Sequence, residues 1–195
     1  MFWLFASLAH AQPVATLDER SAAELNRLID DLERLAERQA WAGVERRYEQ
    51  ILALEGVVPP AYVHVQAAYS ARVNGEMGAA LDRLSRAQSL EPTDQLDMWI
   101  TAINESYGRV ELVVDPPRTT ELEAEKMPFD PEQRRAIDTA VLWMDAEGYF
   151  EGMLPGGSYA LGGKEFEVIP GVAVRVDLSR KELRAEKRQA RKQVR

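Results

Sequence analysis

The chain has no cysteine, which excludes thiol nucleophiles, thiolate zinc sites and disulfides. Histidine is then the side chain whose position matters most for catalysis or metal binding. There are two, His10 and His64. His10 falls in a leader segment described below, which leaves His64 as the one candidate base or ligand. A zinc site needs further nitrogen, sulfur or oxygen ligands at set spacing, and no second His or Cys accompanies His64. A serine triad would need His64 as its base, and neither Ser70 nor Ser85 has a nucleophile-elbow context. His64 instead falls on the apolar side of a predicted helix, where a packed structural role accounts for it. Gly162-Gly163-Lys164 lacks the upstream glycine and the following Ser/Thr of a phosphate loop, and fits a hairpin turn. Glu121, Glu123 and Glu125 alternate without the glycine of a calcium loop. Asp30-Asp31 falls on an exposed helix face and reads as solvated charge. The chain therefore reads as a non-enzyme with no metal and no cofactor. Carboxylate pairs of the glycosidase type leave no linear motif, so an unrecognised hydrolase stays open as a third reading.

With 195 residues there is room for one large domain or two small ones, each with a modest core. The net charge of −8 is unevenly spread. Residues 180–195 hold eight Lys/Arg against two Glu, so the rest of the chain carries −14. An acidic body repels nucleic acid, because phosphate binding needs clustered cations. Phe2 to Leu8 is a short apolar run, and Ala9-His10-Ala11 places small residues where signal peptidase reads. Residues 1–11 thus read as a signal peptide without a basic n-region, cleaved after Ala11. That predicts export. The absence of cysteine excludes a lipoprotein anchor, and no other stretch reaches the ~20 apolar residues of a membrane span.

The elements that would position any functional side chain are legible from periodicity. Ser21, with Glu24 three residues on, reads as a capping box, followed by Leu25, Leu28, Ile29, Leu32 and Leu35 at helical spacing. A second stripe runs from Trp41 to Leu52 and ends by Gly56 and Pro59-Pro60. Further helices are predicted over 61–73, 77–90 and, capped by Thr93, to about Ser106. From Tyr107 the pattern changes. "RVELVVD" alternates like a strand, and a polar connection runs through Lys126. Asp130-Pro131-Glu132 starts a helix that Gly148 closes. "YFEGML", "SYAL", "KEFEVI" and "VAVRVDL" read as strands separated by glycine turns, with Gly162-Gly163 as a two-residue hairpin loop. The expected fold class is α+β. A helical-hairpin domain (21–106) precedes a small β-rich domain (107–179) with one inserted helix (131–147) and a basic tail (180–195).

The helical half contains a repeat. "WAGVERRYEQIL" at Trp41 aligns with "MGAALDRLSRAQ" at Met77, a period of 36 residues that pairs Val44 with Ala80, Tyr48 with Leu84 and Ile51 with Ala87. Gly75, Ala80, Leu84, Ala87 and Pro92 stand where the tetratricopeptide repeat has its inter-helix glycine, small seam residues, large seam residue and terminal proline. The unit 61–94 resembles that repeat. It departs at His64, Ala67, Ala68 and Ala71, which replace bulkier first-helix residues. The second half resembles small transthyretin-like modules of the carboxypeptidase-regulatory and PEGA types, through "GRVELVVDP" and "EGMLPGGSYALGG". The inserted helix departs from the plain sandwich. Together the two resemblances imply a periplasmic or exported envelope protein of a Gram-negative bacterium.

The repeat resemblance also implies where binding would occur. The first helix of each unit lines a concave face, which assigns Tyr62, Val65, Tyr69 and Arg72 to it, with Trp99 added from the capping helix. Aromatics and arginine are favoured at interface hot spots. The expected partner is a protein of the cell envelope, and the basic tail could touch an anionic surface. The alternative is a glycan- or peptidoglycan-binding module using Tyr149, Phe150 and Tyr159. Exposure separates the two: buried β-domain rings beside open Tyr62 and Tyr69 favour the scaffold.

Overall fold

The computed structural model describes residues 19–179; the expected leader and basic tail lie outside the described residues. The fold is α+β, and among the described residues it has six helices and two three-stranded sheets. Helices α1 (Glu19–Glu37), α2 (Trp41–Leu52), α3 (Ala61–Val73), α4 (Met77–Leu90) and α5 (Asp94–Ser106) come first, each packed on the one before. The apolar stripes place Leu28, Ile29 and Leu32 of α1 against Val44, Tyr48 and Ile51 of α2. Thr93 caps α5, its hydroxyl accepting from Leu96 N–H at 3.2 Å. Ser21 does not cap α1. It lies inside the helix, because Glu19 and Arg20 already have helical backbone.

The 36-residue register has a structural counterpart. Val44, Tyr48 and Ile51 are fully buried in α2, and Ala80, Leu84 and Ala87 are fully buried in α4. Alanine at three of the α3 positions, Ala67, Ala68 and Ala71, lets α2 and α4 approach α3 closely. Gly75 joins α3 to α4 at φ +80°, a conformation costly for a residue with a Cβ. A Cβ there would also sit 2.5 Å from the Arg135 carbonyl oxygen.

Strand β1 (Tyr107–Asp115) follows α5 without a loop. It is the centre of a sheet ordered β3-β1-β6, antiparallel to β3 (Tyr149–Pro155) and parallel to β6 (Ala173–Ser179). The second sheet is ordered β2-β4-β5, built from β2 (Leu122–Ala124), β4 (Gly157–Leu161) and β5 (Lys164–Val168). Gly162 and Gly163 link β4 to β5 with φ of +54° and +85°, the two left-handed positions of a type I′ hairpin. Strand β2 lies within what reads in sequence as a polar connection. Its single anchor is Leu122, buried opposite Leu161, and three residues are too few to show a period. Helix α6 (Pro131–Glu147) starts at Asp130, whose carboxylate accepts from Glu132 N–H at 2.7 Å and Gln133 N–H at 3.1 Å. Both sheets and α6 share one core, with Leu112, Leu154, Leu161, Leu178, Ile137 and Met144 at its centre.

The helical stack and the β region also share apolar packing. Tyr107, Ala136 and Met153 join the cluster formed by α3, α4 and α5. Helix α6 caps the end of α3. Arg135 donates to the Val73 carbonyl at 2.8 Å and Thr139 to the Asn74 carbonyl at 2.8 Å. None of the helices among the described residues is long and apolar enough to cross a membrane.

Candidate functional site

The face assigned from the repeat is built on α3. Tyr62 and Tyr69 are seven residues apart and so share one side of the helix. Both are open, at 46% and 50% exposure. The Tyr69 ring lies tilted against Trp41 at the start of α2, with centroids 5.1 Å apart. Tyr62 lies beside α1, close enough to Glu33 and Asp30 that their charges act on its phenol. Partial burial first, then these two carboxylates, hold that phenol above its ordinary range. The result is an open strip of aromatic rings bordered by acids.

The other three expected residues have different surroundings. Trp99 is partly open on α5, but the ring contacts among the described residues tie Tyr69 to Trp41 and do not extend to Trp99. Val65 packs partly buried against the α3–α5 cluster. Arg72 forms an ion pair with Glu132 of α6 at 2.8 Å, which directs its charge toward the β region. The structure thus joins Tyr62 and Tyr69 with Trp41, Glu33 and Asp30, and directs Val65 and Arg72 elsewhere. Trp41 is 28 residues from Tyr69, and no local spacing links them.

His64 has the packed role expected of it. Its Nδ1 is 2.8 Å from the buried Tyr48 hydroxyl, and the two rings meet edge to face at 5.6 Å. Burial, then Arg86 and Arg83, lowers its pKa, so the imidazole is kept neutral. Arg83 lies over the Tyr48 ring at 4.6 Å. It also grips Glu45 bidentately at 2.6 and 2.8 Å and donates to the Ala67 carbonyl. This network ties α2, α3 and α4 together.

The β-region aromatics differ. Phe150 and Tyr159 are buried. Tyr159 donates to the Pro155 carbonyl at 2.8 Å, stacks on Phe166 at 5.5 Å, and has its phenol pushed up to about 12 by burial. Tyr149 alone of the three is open, and it donates to Glu151 at 2.9 Å. No protein-family model, curated protein or solved structure matches the chain.

Proposed function

We propose that the protein is a non-catalytic scaffold of the cell envelope that holds another protein on the α1–α3 face. In this reading the helical hairpins are a short tetratricopeptide-like array. The β region is a small sandwich-like module of the carboxypeptidase-regulatory or PEGA type. Export would follow removal of residues 1–11. The observation that supports the docking face is the exposure of Tyr62 and Tyr69 side by side on α3, with Glu33 and Asp30 beside them, while Phe150 and Tyr159 are packed away. Large rings left open next to charge are the chemistry of an interface hot spot. The acids on the border favour a partner segment with cationic side chains. The glycan alternative retains one open ring, Tyr149, on the β region.

Photo-crosslinking tests the face. A benzophenone amino acid at Tyr62 is expected to capture one polypeptide in the producing cell. A Tyr69→Ala change in the same chain should abolish that capture. The same probe at Val58, which is 71% exposed on the α2–α3 connection, should capture nothing. Equal capture from both positions, or capture indifferent to Tyr69→Ala in a folded chain, rejects the docking face.

A further inference from the structure

The β3-β1-β6 sheet has one face in the β-region core and one face outward. Val110, Leu112 and Val114 point inward. Alternation therefore puts Arg109, Glu111, Tyr149, Glu151 and Arg175 on the outer face. The helical stack covers only one end of that face, where Tyr107 and Met153 are buried. The uncovered part is the floor of a groove of about 720 Å³. The start of α4 forms one wall, and Trp143 and Glu147 of α6 form another. Gly78 on α4 lies over Gly152 on β3. A Cβ at Gly78 would be 3.8 Å from the Met153 Cγ and 3.9 Å from the Gly152 Cα, ordinary contact distances, so α4 lies close over β3 at this end of the groove.

Three features of the lining point to one ligand chemistry. First, the carboxylates outnumber the guanidiniums, and both arginines are already engaged. Arg175 bridges Glu111 at 2.5 Å and Asp177 at 3.0 Å, and Arg109 reaches Asp82 at 3.4 Å. Glu147 and Glu151 have no cationic partner among the described residues. Second, Glu151 stands directly opposite Glu111 across the β1–β3 pair. Like charges in that register are destabilising. Arg175 answers Glu111, whereas among the described residues Glu151 is met only by the Tyr149 hydroxyl, so a cation beside Glu151 relieves what remains. Third, Trp143 and Tyr149 leave their rings partly open within the same groove, at 45% and 39% exposure. Ring faces beside carboxylates attract ammonium and guanidinium groups and cover the alkyl stems that carry them.

We propose that this groove is a binding site for a lysine- or arginine-bearing peptide segment, with its cation held among Trp143, Tyr149, Glu147 and Glu151. The site is separate from the α1–α3 face and does not depend on it. Its volume is that of a small-ligand pocket, enough for a few side chains rather than a folded domain.

The test uses the full chain and a fluorescein-labelled octapeptide of alternating arginine and serine, followed by anisotropy. Glu147→Gln with Glu151→Gln should weaken binding about tenfold or more through the lost charge-assisted contacts. Trp143→Ala should weaken it about threefold, with Trp143→Phe recovering most of the loss. Asp94→Asn with Glu105→Gln removes the same charge from exposed α5 positions and should change binding less than about twofold, as expected for screened distant charge. An octapeptide of alternating glutamate and serine should not bind. Equal weakening by the two charge-matched pairs would mean diffuse attraction to an acidic body and would overturn the site. So would unchanged binding in a folded Glu147→Gln/Glu151→Gln chain.

Discussion

The helical stack and the β region bury apolar surface in different ways. Around α3 small residues line the helix seams, between larger buried side chains such as Val63, Met77 and Leu84. Ala67, Ala68, Ala71, Ala80 and Ala87 bring the helices close, and a polar network of Arg83, Glu45, Tyr48 and His64 links the hairpins. Around β1 the core is made of large side chains, with Leu112, Leu154, Leu161, Leu178, Ile137 and Met144 filling the space between two sheets and one helix. The first arrangement draws on close backbone approach and specific hydrogen bonds. The second draws on volume. The difference extends to the surface: the stack leaves its α3 tyrosines open, whereas the β region packs Phe150 and Tyr159 inside and leaves Tyr149 and Trp143 partly open at the groove.

Truncation in the β core should produce the largest effect. Leu154→Ala removes a fully buried side chain and should cost about 2–5 kcal/mol, read from urea unfolding. Because Met153 and Tyr107 also pack against the helices, the stack should unfold in the same transition. A separate, unshifted helical transition would show that the two regions are independent. The stack should be sensitive in the opposite direction, to added volume. Ala80→Leu should cost about 1–3 kcal/mol through overpacking, and a neutral result would mean that the alanine seam has slack.

The polar network should respond next. Glu45→Gln keeps the shape but leaves the Arg83 guanidinium, mostly buried, without its carboxylate. A loss of about 1–2 kcal/mol is expected, less than for a fully buried pair because both partners retain some solvent. Met144→Leu in the β core, close in volume and free of polar partners, should cost less than Glu45→Gln, within about 1.5 kcal/mol. The reverse order would remove the contrast between the regions.

The smallest effect concerns pH. The folded state holds the His64 pKa below its unfolded value of about 6.5. The unfolded chain therefore binds more protons as pH falls through that range, and stability decreases below about pH 6.5. The melting temperature should fall between about pH 7 and pH 5 more steeply in the parent chain than in His64→Gln. Identical slopes would place the acid sensitivity among the carboxylates instead.

Much of this was already legible in local spacing. The α3, α4 and α6 boundaries, the Thr93 and Asp130 caps, the Gly75 break and the Gly162-Gly163 hairpin each depend on residues within one or two turns of each other. Backbone geometry alone fixes what those spacings do. The pairing of His64 with a structural role was legible too, since it lacked any companion ligand. The tertiary structure decided what lay between distant segments. It gave Arg72 to Glu132, sixty residues away, and set Tyr69 against Trp41. It made a strand of Leu122–Ala124 through a single buried leucine. It opened a groove where α4 stops short of covering the outer sheet face. Such pairings have no sequence period, because they are set by which surfaces must be buried together when the whole chain packs.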